Sequence, residues 1–446
     1  MNLSDLIHTT VPIKSGGEII ILNNGALINA ESEAMLQALH SRSTGGLKAH
    51  LKKLAEKGAS NFMQQYYIGY GHPSIGDCGS TTIFIEGVSL LAAKAIQDTQ
   101  LYSGQESSTR YIDFSKQPLI DPTNSPEGKR LLEKQREFYL AAQEPTRQNL
   151  KSKFPQEGED AKIYEKAINA RTFDITRGLL PAGVATNLSW HTNLRQASDR
   201  ILFLRHHPLQ EVRNIAEALE KALTSAHPNS FTHKRYEQTE AFQDKIAKDY
   251  FYHDPFCPIE PVVSFDKIDL SELKKYKALI DARPPKTELP KYLAQAGTIT
   301  AKFQLDFGSF RDIQRHRAIQ QRMPLLTREL GFNKWYVENL APVVRNQLQD
   351  HLEKIEKEIT SIGISRLEEQ YFTPIGYNTS NRLSGDLPAI VYMVELRNSR
   401  FVHPTLQRVA HSISQQITDT LKIPLHIDKE PGRFDERRGK HDLIEK

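Results

Sequence analysis

The chain alternates short apolar runs with long amphipathic stretches. Ile19 to Leu22 reads as a strand closed by the turn residues Asn23-Asn24-Gly25. Leu47 to Lys57 has helical spacing, with Leu51, Leu54 and Ala55 on the apolar side. Thr82 to Ile85 reads as the end of a strand and Val88 to Gln97 as an apolar-faced helix. Glu127 to Lys153 reads as a long charged helix, followed by a second from beyond Glu159 toward Ile175. Gln210 to Ala226 places Val212, Ile215, Ala216 and Leu219 on one helical face. Pro255, Pro258, Pro261 and Pro284-Pro285 interrupt regular structure, so 251–288 reads as a junction between 1–250 and 289–446. Within it Phe251, Phe256 and Val262-Val263 are expected to be buried. Helices are predicted over Leu289 to Ala296, Ile299 to Ile319, Arg345 to Ile362 and Thr405 to Leu421, with an apolar run at Ala389 to Leu396. The charged tail from Ile427 is expected to fray.

The two stretches echo one another. Ile96-Gln97-Asp98-Thr99-Gln100 resembles Ile313-Gln314-Arg315-His316-Arg317. Leu180-Pro181 precedes His207-Pro208 by about the distance that separates Thr373-Pro374 from His403-Pro404, and an apolar helix follows each His-Pro pair.

Apolar residues make up 39% of the 446 and charged residues 25%, which suits a soluble globular chain. No apolar run is long enough to span a membrane, and Met1 to Lys14 lacks the features of a signal peptide, so a cytoplasmic location is expected. Cys78 and Cys257 are too few for a disulfide framework or a thiolate zinc site, and no metal site is expected. His206-His207 lacks a helical partner histidine or glutamate. Net charge of +4 and a pI near 8.7 suit anionic small ligands and do not by themselves require nucleic acid.

Arg315-His316-Arg317 is a compact cationic triplet suited to a diphosphate or to negative charge developing on a heterocycle. By residue type alone a solvated basic turn is the commoner outcome. The polar segment Ser103 to Tyr111, with Arg110 near its end, offers hydroxyl, amide and guanidinium donors, but by itself reads better as an ordinary polar loop after a helix. No Rossmann fingerprint or Walker loop is present.

Gly71-His72-Pro73-Ser74 followed by Phe84-Ile85-Glu86-Gly87-Val88-Ser89 resembles the flavin-dependent thymidylate synthases. That family follows this step with Arg-His-Arg-x-x-Ser-x-Asn/Gln-x-x-Ser-x-Arg. Here Asp98-Thr99-Gln100 stands where Arg-His-Arg is usual, while Ser103 to Arg110 keeps the remainder. Arg315-His316-Arg317 restores the lost triplet, followed by Ala318 to Thr327, which lacks the serine–arginine part. The family's Arg-x-x-Leu-Pro, Asn-x-Arg and later arginine are matched by Arg177 to Pro181, Asn193-Leu194-Arg195 and Arg205. The second stretch has Gln370, Asp386-Leu387-Pro388 and Arg397 in those places. Asp312 stands where the family has glutamine, and Asp77-Cys78 where it has Glu-His.

The resemblance implies an α+β fold of two divergent copies, each a mixed sheet with long helices, whose complementary losses leave one site made from both. It implies FAD as cofactor, with dUMP or a related pyrimidine nucleotide, methylenetetrahydrofolate and NADPH as substrates, and dTMP as product. Arg315, His316, Arg317 and Ser108 would act in catalysis. His72, Ser74, Gln105, Glu106, Asn193 and Arg195 would hold flavin together with the triplet. Glu106, Ser108, Thr109, Arg110, Arg177, Arg205 and Arg397 would hold nucleotide. A homodimer would form a pseudo-tetramer, with no membrane or nucleic-acid partner. Two alternatives stand beside this: alkylation of another pyrimidine, motivated by Asp312, and a non-catalytic nucleotide- or RNA-binding homologue, motivated by the arginines over 311–322.

Overall fold

The computed structural model describes residues 6–22, 28–41, 43, 46–110, 112–158, 160–266 and 268–428. The turn read at Asn23-Asn24-Gly25, Tyr111 at the end of the polar segment, and the tail past 428 lie outside them. The chain is α+β and divides into two compact units, each holding one antiparallel sheet. The first comprises Met1–Ser107 and Val184–Tyr250, the second Ser108–Gly183 and Phe251–Lys446.

The first unit's sheet has the order β1-β2-β3-β5-β4, built from β1 (His8–Pro12), β2 (Glu18–Leu22), β3 (Ser80–Ser89), β4 (Ser103–Glu106) and β5 (Ala185–Asn193). β2 is buried along Ile19, Ile20 and Ile21. The Gln210–Ala226 helix packs on β1 and β2 with Val212, Ile215, Ala216 and Leu219 inward, the face its apolar spacing predicts. The β3–β5 register shifts between Ile85 and Val88. Gly87, at φ +69°, lies against Gly17, and a Cβ on Gly17 would meet the Glu86 carbonyl at 1.9 Å. This bulge keeps Val88 and Ser89 in the strand, contrary to the expected helix start at Val88. Ser89 caps the Leu90–Gln97 helix by accepting from the Ala92 N–H, and Glu211 accepts from both the N–H and the hydroxyl of Ser89.

The second unit's sheet has the order β6-β7-β9-β8, from β6 (Val262–Asp266), β7 (Thr298–Asp306), β8 (Gln320–Gln321) and β9 (Asn378–Asp386). The helix expected over Ile299 to Ile319 is not formed. Ile299, Ala301, Phe303 and Leu305 are buried at alternate positions, and Lys302 between them is exposed. That period of two makes a strand. Asp306 then accepts from the Ser309 N–H and starts a short helix, Phe307–Ile313. Lys291–Ala296 is a 3-10 segment rather than an α-helix. The stretch read as a junction contributes β6 and two short helices, Leu270–Lys275 and Lys277–Asp281, to this unit. Two residues there expected to be buried are not: Phe256 is 91% exposed and Val262 59%. Val262 starts β6, at the edge of the sheet among the described residues, and faces away from the core, whereas Val263, on the opposite face, packs against it; Phe256 lies in a turn before β6.

Helices Leu387–Arg397 and Pro404–Leu421 cover the second sheet, with Ile390, Val391, Val394, Leu406, Ile413 and Ile417 in its core. Helices Pro126–Lys153, Ala161–Thr176 and Pro342–Ile362 pack together in the same unit. The order β6-β7-β9-β8 repeats β2-β3-β5-β4, and in each unit the third strand of that order, β5 or β9, feeds a helix capped by the strand's own final residue. Asn193 accepts from the Gln196 N–H and Asp386 from the Ala389 N–H. Among the described residues no helix is long and apolar enough to cross a membrane.

Candidate functional site

The helix that Asp306 starts carries Arg311 and Asp312 and runs into a turn holding Arg315, His316 and Arg317 before β8. The His316 N–H donates to Ile313 O at 2.9 Å, and its carbonyl accepts from the Ile319 N–H at 3.1 Å, which fixes the turn. The imidazole is 7% exposed. Its Nε2 accepts from Arg397 Nε at 2.7 Å, and its ring meets Tyr392 edge-on at 5.9 Å. Arg315 is half exposed, 3.9 Å from Asp312.

These residues line a cavity of about 710 Å³. Arg315, Arg317, Arg397 and Lys291 bring four cations to its wall, and Glu288 and Asp386 bring two carboxylates, of which Asp386 is engaged as a helix cap. Ile319, Pro388, Ala389 and Leu396 supply an apolar side. A cationic wall facing an apolar one suits a flat anionic heterocycle.

Burial, reinforced by Arg397 and Arg315 against the pull of Asp312, lowers the His316 pKa to about 3. Burial alone would raise Asp312, but the guanidiniums of Arg397, Arg110, Arg315 and Arg177 hold its carboxyl below the usual range. The site therefore pairs a neutral imidazole with an ionised carboxylate. Because Nε2 accepts from Arg397, the single imidazole proton belongs on Nδ1, where it is available as an uncharged donor.

This shift has a consequence for stability. Between about 3 and 6.5 the unfolded chain takes up a proton at His316 that the folded chain refuses. The stability this ring contributes is whole above 6.5 and is lost as pH falls toward 3. In urea titrations across that window, His316→Asn should flatten the pH slope by up to about 1.4 kcal/mol per pH unit. An unchanged slope would refute the neutral, buried assignment.

Beneath the turn lies a buried polar network. Arg177 is 2% exposed; its Nη2 donates to Ser309 Oγ at 2.8 Å and its Nε to Tyr336 OH at 3.3 Å. Tyr336 OH donates to Asp306 Oδ2 at 2.8 Å. Gly178 lets the Tyr336 ring approach, since a Cβ there would meet it at 2.7 Å. Ser309 continues to Thr405 and His403, and His403 Nε2 lies 3.2 Å from Asp174 O. Asp174 accepts from Arg110 Nε at 2.7 Å and Nη2 at 3.2 Å, and Arg311 Nη1 donates to Thr109 Oγ1 at 2.9 Å. Ser108 Oγ accepts from the Arg110 N–H at 3.3 Å. Thus Ser108, Thr109, Arg110 and Arg177, which precede residue 250, fold in the same unit as Arg315, His316, Arg317 and Arg397. Arg177 does not line the cavity.

The remaining candidates lie in the first unit. His72 and Ser74 are exposed around the helical turn Pro73–Gly76, and Gln105 is exposed on β4. Glu106 is paired in the interior with Lys94 at 2.5 Å and accepts from Gln97 Nε2 at 2.9 Å. Asn193 is occupied as a helix cap. Arg195 donates to Asp77 at 2.7 Å, and Arg205 to Glu240 at 2.6 Å. Sequence reasoning did not single out Tyr392, Asp174, Ser309, Tyr336 or Lys291.

A family model described as thymidylate synthase complementing protein matches residues 27–229. The chain is 23% identical over 416 residues to a UPF0159 protein of Chlamydia muridarum, covering 80% of this chain and 78% of that one. It is 24% identical, with the same coverage, to one of Chlamydia pneumoniae. A UPF0159 protein of Thermoplasma acidophilum is 20% identical over 437 residues, covering 81% and 87%. Among solved structures, the UMP/dUMP methylase PolB from Streptomyces cacaoi, bound with 5-Br dUMP, is 16% identical with a TM-score of 0.34, covering 50% of this chain and 95% of that one. Thymidylate synthase X from Helicobacter pylori, with FAD and dUMP, is 19% identical with a TM-score of 0.29, covering 48% and 97%.

Proposed function

From a chain whose residues 27–229 match the thymidylate synthase complementing protein family, we propose a flavin-dependent enzyme that reductively methylates dUMP to dTMP. Methylenetetrahydrofolate would give the carbon and NADPH the reducing equivalents. The observation that carries this reading is the Arg315–His316–Arg397 cluster on a cavity with one cationic and one apolar side.

The lining fits FAD by its chemistry. Arginines match a diphosphate, and the apolar wall with Tyr392 matches a planar ring system. A flavin bound there would supply the hydride that turns a transferred methylene into a methyl group. The chain's own part is electrostatic. C5 of uracil becomes nucleophilic when charge can move onto the ring carbonyls, and Arg315 with the His316 Nδ1–H would stabilise that charge. Arg397 orients the imidazole through Nε2. Burial raises the thiols of both Cys78 and Cys257, so neither is prepared to attack the base, which agrees with a scheme lacking an enzymic nucleophile.

We further propose that the two units descend from one duplicated domain; the shared strand order of β2-β3-β5-β4 and β6-β7-β9-β8 supports this. A second reading, alkylation of a different pyrimidine, draws on Asp312, an ionised acceptor among four guanidiniums where the resembling family has an amide.

The test is the absorbance spectrum of the purified chain supplied with FAD and titrated in turn with dUMP, UMP and dCMP. The primary reading expects a flavin band perturbed most strongly by dUMP, with the perturbation lost in Arg315→Ala. A stronger response to UMP or dCMP would favour the second reading. No flavin uptake would overturn both.

A further inference from the structure

The first unit carries an exposed feature away from the residues that line the Arg315–Arg397 cavity. Phe62, Tyr66, Tyr70 and His72 form a continuous aromatic ladder. Ring centroids lie 4.9 Å apart for Phe62–Tyr66, 5.7 Å for Tyr66–Tyr70 and 6.2 Å for Tyr70–His72, and the last two pairs are stacked with interplanar angles of 25° and 28°. Phe62 and Tyr66 lean on a buried cluster that includes Ala34, Met63 and Tyr67, so the base of the ladder is fixed. Its far end is open: Tyr70 is 66% exposed, and His72 is exposed. The backbone beneath it, Met63–Gly69, is π-helical, a rare conformation that occurs mostly as single turns and frequently at functional sites.

The helix before the ladder, Gly46–Lys57, is basic. Lys48, Lys52, Lys53 and Lys57 are all exposed, and none has an ion-pair partner among the described residues. From residue 46 to residue 76 the only acidic residue is Glu56. Five residue steps separate Lys57 from Phe62, so the lysines begin at most about 18 Å from the first ring. Unpaired cations followed by a rooted stack of rings match a polyanion that carries flat bases at intervals. A duplex hides its base faces, and a mononucleotide would use one ring and one cation.

We propose that the exposed lysines of Gly46–Lys57 and the Phe62–Tyr66–Tyr70–His72 ladder form a binding surface for single-stranded nucleic acid. The lysines take the phosphodiester backbone and the open Tyr70–His72 end of the ladder takes a base. The surface uses no part of the cavity at Arg315–Arg397, so the proposal stands independently of the proposed enzyme activity.

The experiment is fluorescence anisotropy of labelled thymidine and uridine homo-oligomers with the full chain, over a salt series, with thermal melts confirming that each variant is folded. Tyr70→Ala should weaken binding about tenfold at fixed salt, the expected loss of one base stack. The double variant Lys52→Gln with Lys53→Gln should lower the slope of log affinity against log salt by about 1.4, two single-strand phosphate contacts. Equal affinity for both oligomers, or preference for uridine, supports the proposal; the latter adds a reading of the 2′-hydroxyl. Absence of binding at low salt, equal binding of a duplex, competition by free dUMP, or indifference to both variants would each overturn it.

Discussion

Replacing Arg177 with methionine is expected to destabilise the second unit by about 3–5 kcal/mol, the range seen when one partner of a buried charge pair is removed. Asp306 is fully buried and begins the helix leading to the cationic turn. Its Oδ2 accepts from the Ser309 N–H and the Tyr336 hydroxyl, and the Arg177 Nη2 lies 3.7 Å away. Burial disfavours charge on Arg177, but Tyr336 and Asp306 outweigh it and raise its pKa. Methionine fills the volume and removes the charge, leaving the carboxylate in the interior without its cation. Lysine would not rescue, because a single ammonium cannot reach Tyr336 and Ser309 with the spread of a guanidinium. The check is the urea midpoint of the transition in the variant, compared with Arg177→Met combined with Asp306→Asn. Removing the stranded charge should recover part of the loss, a coupling that a double-mutant cycle measures. A midpoint unmoved by Arg177→Met would refute the buried-pair account.

The second large effect is expected at Arg397. Arg397→Gln removes the donor that holds His316 Nε2, and it also removes the strongest counter-charge to Asp312. Without that donor the His316 Nδ1–H loses its fixed orientation, and loss of one preorganised donor toward developing negative charge costs about 10²–10³ in rate. Thymidylate formation in single turnover should fall by that factor. Flavin uptake, read from absorbance, should persist if Arg315 and Arg317 suffice to hold the cofactor. A variant that turns over at the parental rate would remove Arg397 from the active machinery. One that loses flavin altogether would reassign it from orienting His316 to binding cofactor.

Local pattern predicted the elements well where one period dominated. The Gln210–Ala226 helix matches its prediction because its buried positions recur at three and four along seventeen residues. The failure at 299–319 has a specific cause. Ile299, Ala301, Phe303 and Leu305 alternate, but Phe307 and Phe310 carry an apolar face onward at helical spacing, so a strand and a short helix merge into one apolar stretch. Only Asp306, read as a cap, marks the break. Among site residues, Arg-His-Arg stood out as a motif, and its companions Arg110 and Arg397 through the resemblance. Asp174 and Tyr336 escaped notice because their importance is three-dimensional: each is one polar residue among several in its helix, and only folding places it against an arginine distant in sequence. The sequence likewise could not reveal that Glu106 is neutralised by Lys94, twelve residues earlier, since the intervening turn sets that meeting.

The path of the chain bears on how the molecule is made. Residues 108–183 leave the first unit and fold in the second, and the chain then returns for 184–250 before completing the second from 251 onward. A ribosome therefore releases Arg110 and Arg177 long before Asp306, Ser309 and Tyr336 exist to receive them. During that interval the Pro126–Lys153 and Ala161–Thr176 helices have each other but no sheet of their own unit. Meanwhile β5 can close the first sheet against β3 and β4. The first unit is thus the natural early product of synthesis, with the inserted pair of helices looped out. No single cut in the chain yields either unit whole, so dissection of this protein requires permutation or excision rather than truncation.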